Sequence, residues 1–237
     1  MPQRRLAAGG EPRHVGEDLL DAERFFRHYE QTLSGCVGRP TDRRGLAFPY
    51  CAHPSLSDKL SVTPAFPSIA ASVAVRALQR ADVDHVVTVP DWVQLSLHAR
   101  LQQPDTGIRV LNACNENQCV TTAAGLAIGG RKPLLVMQNQ GFYNCINTLR
   151  AVCLDARIPL VFLIGQFGRE FDNIGRDPRQ SRRSMVRLME PVLAALELPW
   201  FALDCDADAG RIEQACEVAQ RRRTATAVLV GAPMAWR

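Results

Sequence analysis

A carboxylate set among amides is the group in this sequence best suited to chemistry. Glu116 stands in the polar run Asn115-Glu116-Asn117-Gln118, which leads directly into an apolar segment at residues 119–128. A positioned carboxylate can hold or transfer a proton. An acid in a first helical turn also stabilises the helix dipole by a few tenths to about 1 kcal/mol without any other role. Spacing alone leaves both interpretations open.

Several common catalytic and binding motifs do not occur in the sequence. It has no GxGxxG, GxxxxGK[ST] or GxSxG pattern, which excludes the usual dinucleotide, P-loop and nucleophile-elbow interpretations. No histidine follows His98, which argues against a Ser-His-Asp or Cys-His arrangement in the later loops. Cys114 and Cys119 lack a second close cysteine pair, so we expect no metal site on this chain.

The elements that must position Glu116 follow an alternating pattern from residue 68 onward. Short, nearly continuous apolar runs alternate with helical patterns, which predicts an α/β fold of three layers with a six-stranded, mostly parallel sheet. Helices are predicted to begin at Ser68, Asp91, Asn144, Pro191 and Asp208. Strands are predicted at residues 85–89, 108–113, 133–138, 159–165, 199–203 and 225–231.

Residues 1–67 differ in composition from the rest. They hold seven of the 15 prolines and six of the 16 glycines, with one amphipathic helix pattern at residues 17–33. We therefore expect an N-terminal extension, consisting of one helix and an irregular arm, before a single domain at residues 68–237. At 237 residues and 46% hydrophobic composition, the chain can bury one substantial core.

Charge and hydropathy restrict the partners and the location. The net charge of +4 comes from interspersed arginines and acids, so we expect no nucleic-acid partner. No apolar run reaches the roughly 20 residues of a membrane helix, and the N-terminus lacks a secretory pattern. The expectation is a cytoplasmic protein that does not bind membranes, with its eight cysteines reduced.

Polar residues follow the predicted strands where a parallel sheet binds its ligands, beyond the carboxyl ends. Four such stretches, in chain order, resemble the pyrimidine-binding domain of thiamine-diphosphate-dependent 2-oxo-acid decarboxylases, the sulfopyruvate and phosphonopyruvate decarboxylases in particular. The resemblance covers residues 68–231. It rests on Val89-Pro90-Asp91, on Glu116 with Gly125 nine positions later, on the run 137–144 with Asn147, and on Pro159-Leu160-Val161 with Gly165-Gln166.

The resemblance implies roles for individual residues. The residue matching Glu116 hydrogen-bonds the pyrimidine nitrogen of thiamine diphosphate and favours its imino tautomer, and an acid near the turn of Asp91 assists a later protonation. Asp91 followed by Gln94 equally fits a plain helix cap. The catalytic residues implied are Glu116 and Asp91, and the cofactor-binding residues are Pro90, Glu116, Gln138, Asn139, Gly141 and Asn144. For the loop at residues 138–144, a helix cap at Asn144 and a turn at Gly141 remain the alternative.

The family's second half-site has no counterpart here. The sequence contains no Gly-Asp-Gly, the signature of the domain that holds the diphosphate through Mg²⁺. The resemblance therefore implies a second subunit carrying that half, in an α2β2 heterotetramer that converts a small anionic 2-oxo acid into an aldehyde and CO2. Six arginines at residues 169–187 could clamp a sulfonate or phosphonate, or form a solvated loop. A carboligase subunit and a non-catalytic regulatory or scaffolding subunit remain alternatives.

Overall fold

Six short strands form the centre of the fold, as seen in a computed structural model that describes residues 68–169 and 172–236. All six are parallel, in the order β2-β1-β3-β4-β6-β5, which confirms the predicted fold class. The predicted extension at residues 1–67, with its helix at 17–33, lies outside the described residues. The strands are β1 (His85–Thr88), β2 (Arg109–Asn112), β3 (Pro133–Gln138), β4 (Leu160–Gly165), β5 (Trp200–Leu203) and β6 (Ala225–Val230).

The strands occupy the predicted positions, and five of them are shorter than predicted by one or two residues. Strands β4 and β6 are buried along their whole length because helices cover both faces of the sheet. Strand β2 lies at one edge and is largely exposed, and Leu111 is 38% exposed there.

Helices form two outer layers. One apolar cluster packs α1, α2 and α8 against one face of the sheet, and a second packs α3, α4, α5 and α7 against the other. The helices are α1 (Ala71–Arg80), α2 (Leu95–Leu101), α3 (Glu116–Ile128), α4 (Asn139–Asn144), α5 (Ile146–Leu149), α6 (Ser184–Arg187), α7 (Met189–Ala195) and α8 (Gly210–Arg222). A π-helix (Arg150–Asp155) follows α5. Within the described part of the chain, no helix is both long and apolar enough to cross a membrane.

Two predicted helix starts in the first half of the domain were wrong. Helix α1 begins at Ala71 rather than Ser68 because Ala70 is extended, bridges to Ala235 and donates its N–H to Asp206 Oδ1 at 2.7 Å. Helix α2 begins at Leu95 because Asp91 opens a turn before it, in which the side chain of Asp91 accepts the N–H of Gln94.

Two later predictions also differ from the structure. Residues 139–144, predicted as a loop, form helix α4, and the Asn144 side chain makes no cap for the helix that follows. Helix α8 begins at Gly210, after a 3-10 turn over Asp206–Asp208. The separate helix predicted around Pro191 is confirmed, since Pro191 lies in the first turn of α7.

The strand order places a crevice beside β1. The chain passes from β1 out to the edge strand β2 and then returns to β3 on the other side of β1. Ligands of open α/β sheets bind at such a reversal, outside the carboxyl ends of the strands. Helix α3 follows β2 and helix α4 follows β3, so both begin at this crevice.

Candidate functional site

Glu116 is fixed as the first residue of α3 by a network around the first turn. Asn115 is the N-cap, and its Oδ1 accepts the N–H of Gln118 at 3.0 Å. The side chain of Gln118 returns to the preceding segment, where its Oε1 accepts the N–H of Cys114 at 2.8 Å. These two bonds determine where Glu116 leaves the helix.

The Glu116 carboxylate is held on one side only. Asn144 Nδ2 donates a hydrogen bond to Glu116 Oε2 at 3.0 Å. Oε1 accepts no hydrogen bond from the described residues, and the side chain is half-buried. The bond from Asn144 therefore fixes the orientation of the carboxylate and leaves the hydrogen-bonding capacity of Oε1 unused by the described residues.

Gly141 leaves the space that Glu116 occupies. A Cβ atom at Gly141 would overlap the carboxyl group and Cγ of Glu116. Gly141 lies inside helix α4 and has no positive φ, so close approach rather than backbone conformation requires glycine here. The structure thus brings together Glu116, Gly141 and Asn144, three of the predicted site residues.

Asn139 anchors α4 to the segments that follow β4. Its side chain is fully buried, and its Nδ2 donates to the carbonyl oxygens of Phe167 at 2.9 Å and Met185 at 3.2 Å. Tyr143 donates its hydroxyl to the same carbonyl of Met185 at 3.0 Å. Asn139 therefore has a structural role in the chain, holding α4 against Glu116. Gln138 donates its amide to Gln140 Oε1 at 2.9 Å.

Asp91 lies apart from this group. Its side chain is fully buried, Oδ1 accepts the backbone N–H of Gln94 at 2.9 Å, and Oδ2 accepts the Gln94 side-chain amide at 2.8 Å. His98 Nε2 lies 3.7 Å from Oδ2. Both oxygens are thus engaged in the turn before α2, on the sheet face opposite α3. Pro90, the residue before it, is exposed.

The arginines at residues 169–187 differ in their environments. Arg169 is buried and donates to Asn173 Oδ1 and to the carbonyl of Gly231, both at 3.0 Å. Arg179 is exposed and pairs with Asp177 at 2.9 Å. Arg169 therefore joins the segment after β4 to the end of β6, and its guanidinium serves the fold.

Three buried thiols, Cys119, Cys145 and Cys153, form the thiol cluster, which belongs to the apolar core on the α3 side of the sheet. Burial and the charge of Glu116 raise the pKa of Cys119 to about 12, and the same two causes, led by burial, raise the pKa of Cys145 to about 12. Burial raises the pKa of Cys153 to about 12. These thiols remain protonated at neutral pH, so none of them supplies a thiolate nucleophile.

Metal-ligating side chains do not converge here. Within residues 68–169 and 172–236, no group of three or more His, Cys, Asp or Glu side chains could hold a metal ion. The chemistry available is that of one oriented carboxylate packed against a glycine. A carboxylate whose Oε1 accepts no hydrogen bond from the described residues suits a ligand with a protonatable nitrogen.

Residues 69–185 match the family described as "Thiamine pyrophosphate enzyme, N-terminal TPP binding domain". These residues, just under half of the chain, are similar to the N-terminal cofactor-binding domain of thiamine pyrophosphate enzymes. The matched residues of this chain include Glu116, Gly141 and Asn144.

Three curated relatives have the same name, "Sulfopyruvate decarboxylase subunit alpha". The protein from Methanococcus maripaludis is 25% identical over 164 residues, which are 69% of this chain and 95% of the relative. The protein from Methanocaldococcus jannaschii is 28% identical, over 53% of this chain and 70% of the relative. The one from Methanothermobacter thermautotrophicus is 26% identical, over 65% and 90% respectively.

Two solved structures share the fold. A 2-oxoglutarate:ferredoxin oxidoreductase from Magnetococcus marinus aligns with 70% of this chain at a TM-score of 0.54 and 13% identity. A thiamine diphosphate-dependent 4-hydroxybenzoylformate decarboxylase from Rhodococcus jostii RHA1 aligns with 71% at 0.53 and 21%. The aligned parts make up only 31% and 32% of those chains, so this chain spans about a third of their length.

Sequence reasoning missed residues whose backbone shapes the site. The carbonyls of Phe167 and Met185 receive the hydrogen bonds that hold α4, and no side-chain pattern marks a carbonyl. Tyr143 was overlooked as an anchor, although its position in the run 137–144 offered a signal.

Proposed function

We propose that this chain is the pyrimidine-binding subunit of a two-chain, thiamine-diphosphate-dependent decarboxylase of a small anionic 2-oxo acid. The products are an aldehyde and CO2. One observation carries the proposal: the Glu116 carboxylate is fixed by Asn144, lies against Gly141 and has no hydrogen-bond partner at Oε1 among the described residues. The family match supports the cofactor, and the names of the curated relatives support the reaction.

Glu116 has the central role in this proposal. Its Oε1 would hydrogen-bond a ring nitrogen of the bound cofactor and hold a proton there, while the bond from Asn144 to Oε2 maintains the direction of the carboxylate. Thiamine diphosphate, when bound, supplies the electron sink that permits loss of CO2 from a 2-oxo acid. Gly141 leaves room for Glu116 at this position.

The other predicted residues surround that contact. Exposed Pro90 would contact the cofactor, together with Gln138 and Asn144 at the two ends of α4. Asp91, whose oxygens are both bonded to Gln94, shapes the turn that presents Pro90. A direct proton transfer by Asp91 would require release of one of these bonds.

The diphosphate half of the site belongs, in this proposal, to a partner. This sequence has no Gly-Asp-Gly, and three relatives are named as alpha subunits. We therefore propose a second chain that holds the diphosphate and Mg²⁺, in an α2β2 assembly in the cytoplasm. The substrate is a 2-oxo acid with a second anionic group, like sulfopyruvate.

Replacement of Glu116 by glutamine tests the proposal. Glu116→Gln keeps the size of the side chain but removes the proton-sharing carboxylate, so we expect kcat of the assembled enzyme with sulfopyruvate to fall by about 10²–10⁴-fold. Exposed Glu217→Gln, on α8, is the matched control and should keep full activity. Undiminished turnover in Glu116→Gln would exclude the carboxylate from the reaction.

Two measurements separate the alternatives. If the partner chain alone binds thiamine diphosphate as tightly as the assembly does, calorimetry will identify this chain as a non-catalytic subunit. If the carbon skeleton of the substrate appears joined to an added aldehyde, product analysis will identify a carboligase. Release of one CO2 and one free aldehyde per 2-oxo acid is the outcome expected here.

A further inference from the structure

Gln166 is buried without serving the fold. The residue is 5% exposed, and its Oε1 is inaccessible and has no hydrogen-bond partner. Its Nε2 also makes no hydrogen bond with residues 68–169 and 172–236. A buried amide left unpaired costs about 1–3 kcal/mol of stability, so an apolar side chain of the same size would serve the fold better.

Two other glutamines whose Oε1 is buried and unpaired differ from Gln166. Gln94 donates its amide to Asp91, at 2.8 Å, and to two strand carbonyls, and Gln138 donates its amide to Gln140 at 2.9 Å. Each of these side chains therefore fixes local structure through its nitrogen. Of these three glutamines, Gln166 alone makes no hydrogen bond with the described residues through its side-chain oxygen or nitrogen.

Gln166 directly follows β4, a strand that contributes side chains to the apolar cluster on the α3 side of the sheet. Its backbone N–H donates to the carbonyl of Val230 at 3.0 Å, and the N–H of Phe167 donates back to the carbonyl of Gly165 at 2.9 Å, so the chain turns at Gln166. Phe162 and Ile164, four and two residues earlier, pack in the same cluster as Cys119 of α3.

The neighbouring chain segments connect Gln166 to the site. Gly165 pairs with Gln138 in the sheet, immediately before α4. The residue on the other side, Phe167, accepts the amide of Asn139 through its carbonyl at 2.9 Å. Helix α4, fixed in this way, places Gly141 against Glu116. Gln166 thus begins the segment after β4 at the edge of the crevice that Glu116 enters.

We infer that Gln166 is a substrate-binding residue of this site, whose amide N–H2 donates a hydrogen bond to a carboxylate or keto oxygen of the 2-oxo acid. The inference rests on the proposed function. The substrate anion offers only acceptor oxygens on these groups, so it requires a donor. The last torsion of a glutamine side chain is soft, so a small rotation turns the N–H2 toward the crevice.

Gln166→Met tests the inference because methionine has the same length but no amide. A hydrogen bond to a charged group accounts for roughly tenfold or more in affinity, so we expect KM for sulfopyruvate in the assembled enzyme to rise at least tenfold. The affinity for thiamine diphosphate, measured by calorimetry, should stay unchanged. The thermal midpoint of the full chain should stay equal or rise, because an unpaired amide has been removed.

Controls make each outcome decisive. Gln214→Met, on the exposed side of α8, should leave KM and the thermal midpoint unchanged. Gln166→Asn, with an amide one methylene shorter, should also raise KM, and it decides the question if the methionine variant does not fold. An unchanged KM, or a lowered midpoint with unchanged KM, overturns the inference and assigns the amide to the fold. Absence of thiamine diphosphate binding by the unsubstituted enzyme would instead contradict the proposed function.

Discussion

Adding one methyl group at Gly141 is expected to disrupt the site while barely changing the fold. Inside a helix, glycine to alanine normally stabilises by about 1 kcal/mol. At Gly141 the new Cβ would overlap the Glu116 carboxyl group, and such overpacking typically costs about 1–3 kcal/mol. The two effects leave a net loss between about 0 and 2 kcal/mol for Gly141→Ala, provided that Glu116 stays in place.

Glu116 can avoid the overlap by rotating out of the gap, because it is only half-buried. It then loses the 3.0 Å hydrogen bond from Asn144 and the orientation that this bond fixes. We therefore expect Gly141→Ala to lower the affinity of the assembled enzyme for thiamine diphosphate by tenfold or more, measured by calorimetry. Urea unfolding of the full chain should show a small loss of stability.

Gly125 provides the matched control. It lies in the middle of α3, and a Cβ at this position meets nothing within 4 Å. Gly125→Ala should therefore stabilise the full chain by about 1 kcal/mol. If Gly141→Ala is stabilised to the same extent and binds thiamine diphosphate normally, the close packing of Gly141 on Glu116 has no functional importance and the reasoning is refuted.

Two further predictions concern the surroundings of Glu116. Asn144→Ala removes the donor to Oε2 and should weaken thiamine diphosphate binding about five- to tenfold by calorimetry. Asn144→Asp should weaken binding further, because it replaces the donor with a second carboxylate that repels Glu116. Exposed Asn147→Asp should have neither effect. The thiol cluster, with pKa values of about 12, should resist iodoacetamide at pH 8 and react faster only as the pH rises toward 12. Mass spectrometry measures the labelling. Equal labelling rates at these three cysteines in folded and in urea-unfolded protein at pH 8 would contradict the prediction.

The sheet could be predicted because its strands are covered on both faces and read as continuous apolar runs. Strands β3, β4 and β6 have this character throughout, and all three were found at their predicted positions. Helix starts were harder to place. The bond from Ala70 to Asp206 joins residues 136 positions apart, and it keeps the chain extended where local sequence favoured a cap at Ser68.

The polar turn around Glu116 identified this residue as a candidate. The contacts that hold its carboxylate could not be predicted from the sequence. Its contacts with Asn144, 28 positions away, and with Gly141 depend on helix α4, which reads as a loop because glycine and asparagine are poor helix formers. Tertiary hydrogen bonds from Asn139 to Phe167 and Met185 stabilise α4 instead. The isolation of Gln166 becomes visible only when the partners of every buried amide are known.

A crystal structure of the assembled enzyme with thiamine diphosphate would test the central claim most directly. The account predicts that Glu116 Oε1 lies within about 2.6–3.0 Å of a pyrimidine ring nitrogen, with Asn144 still bonded to Oε2. A cofactor bound with its pyrimidine elsewhere, or with Glu116 directed into solvent, would contradict it.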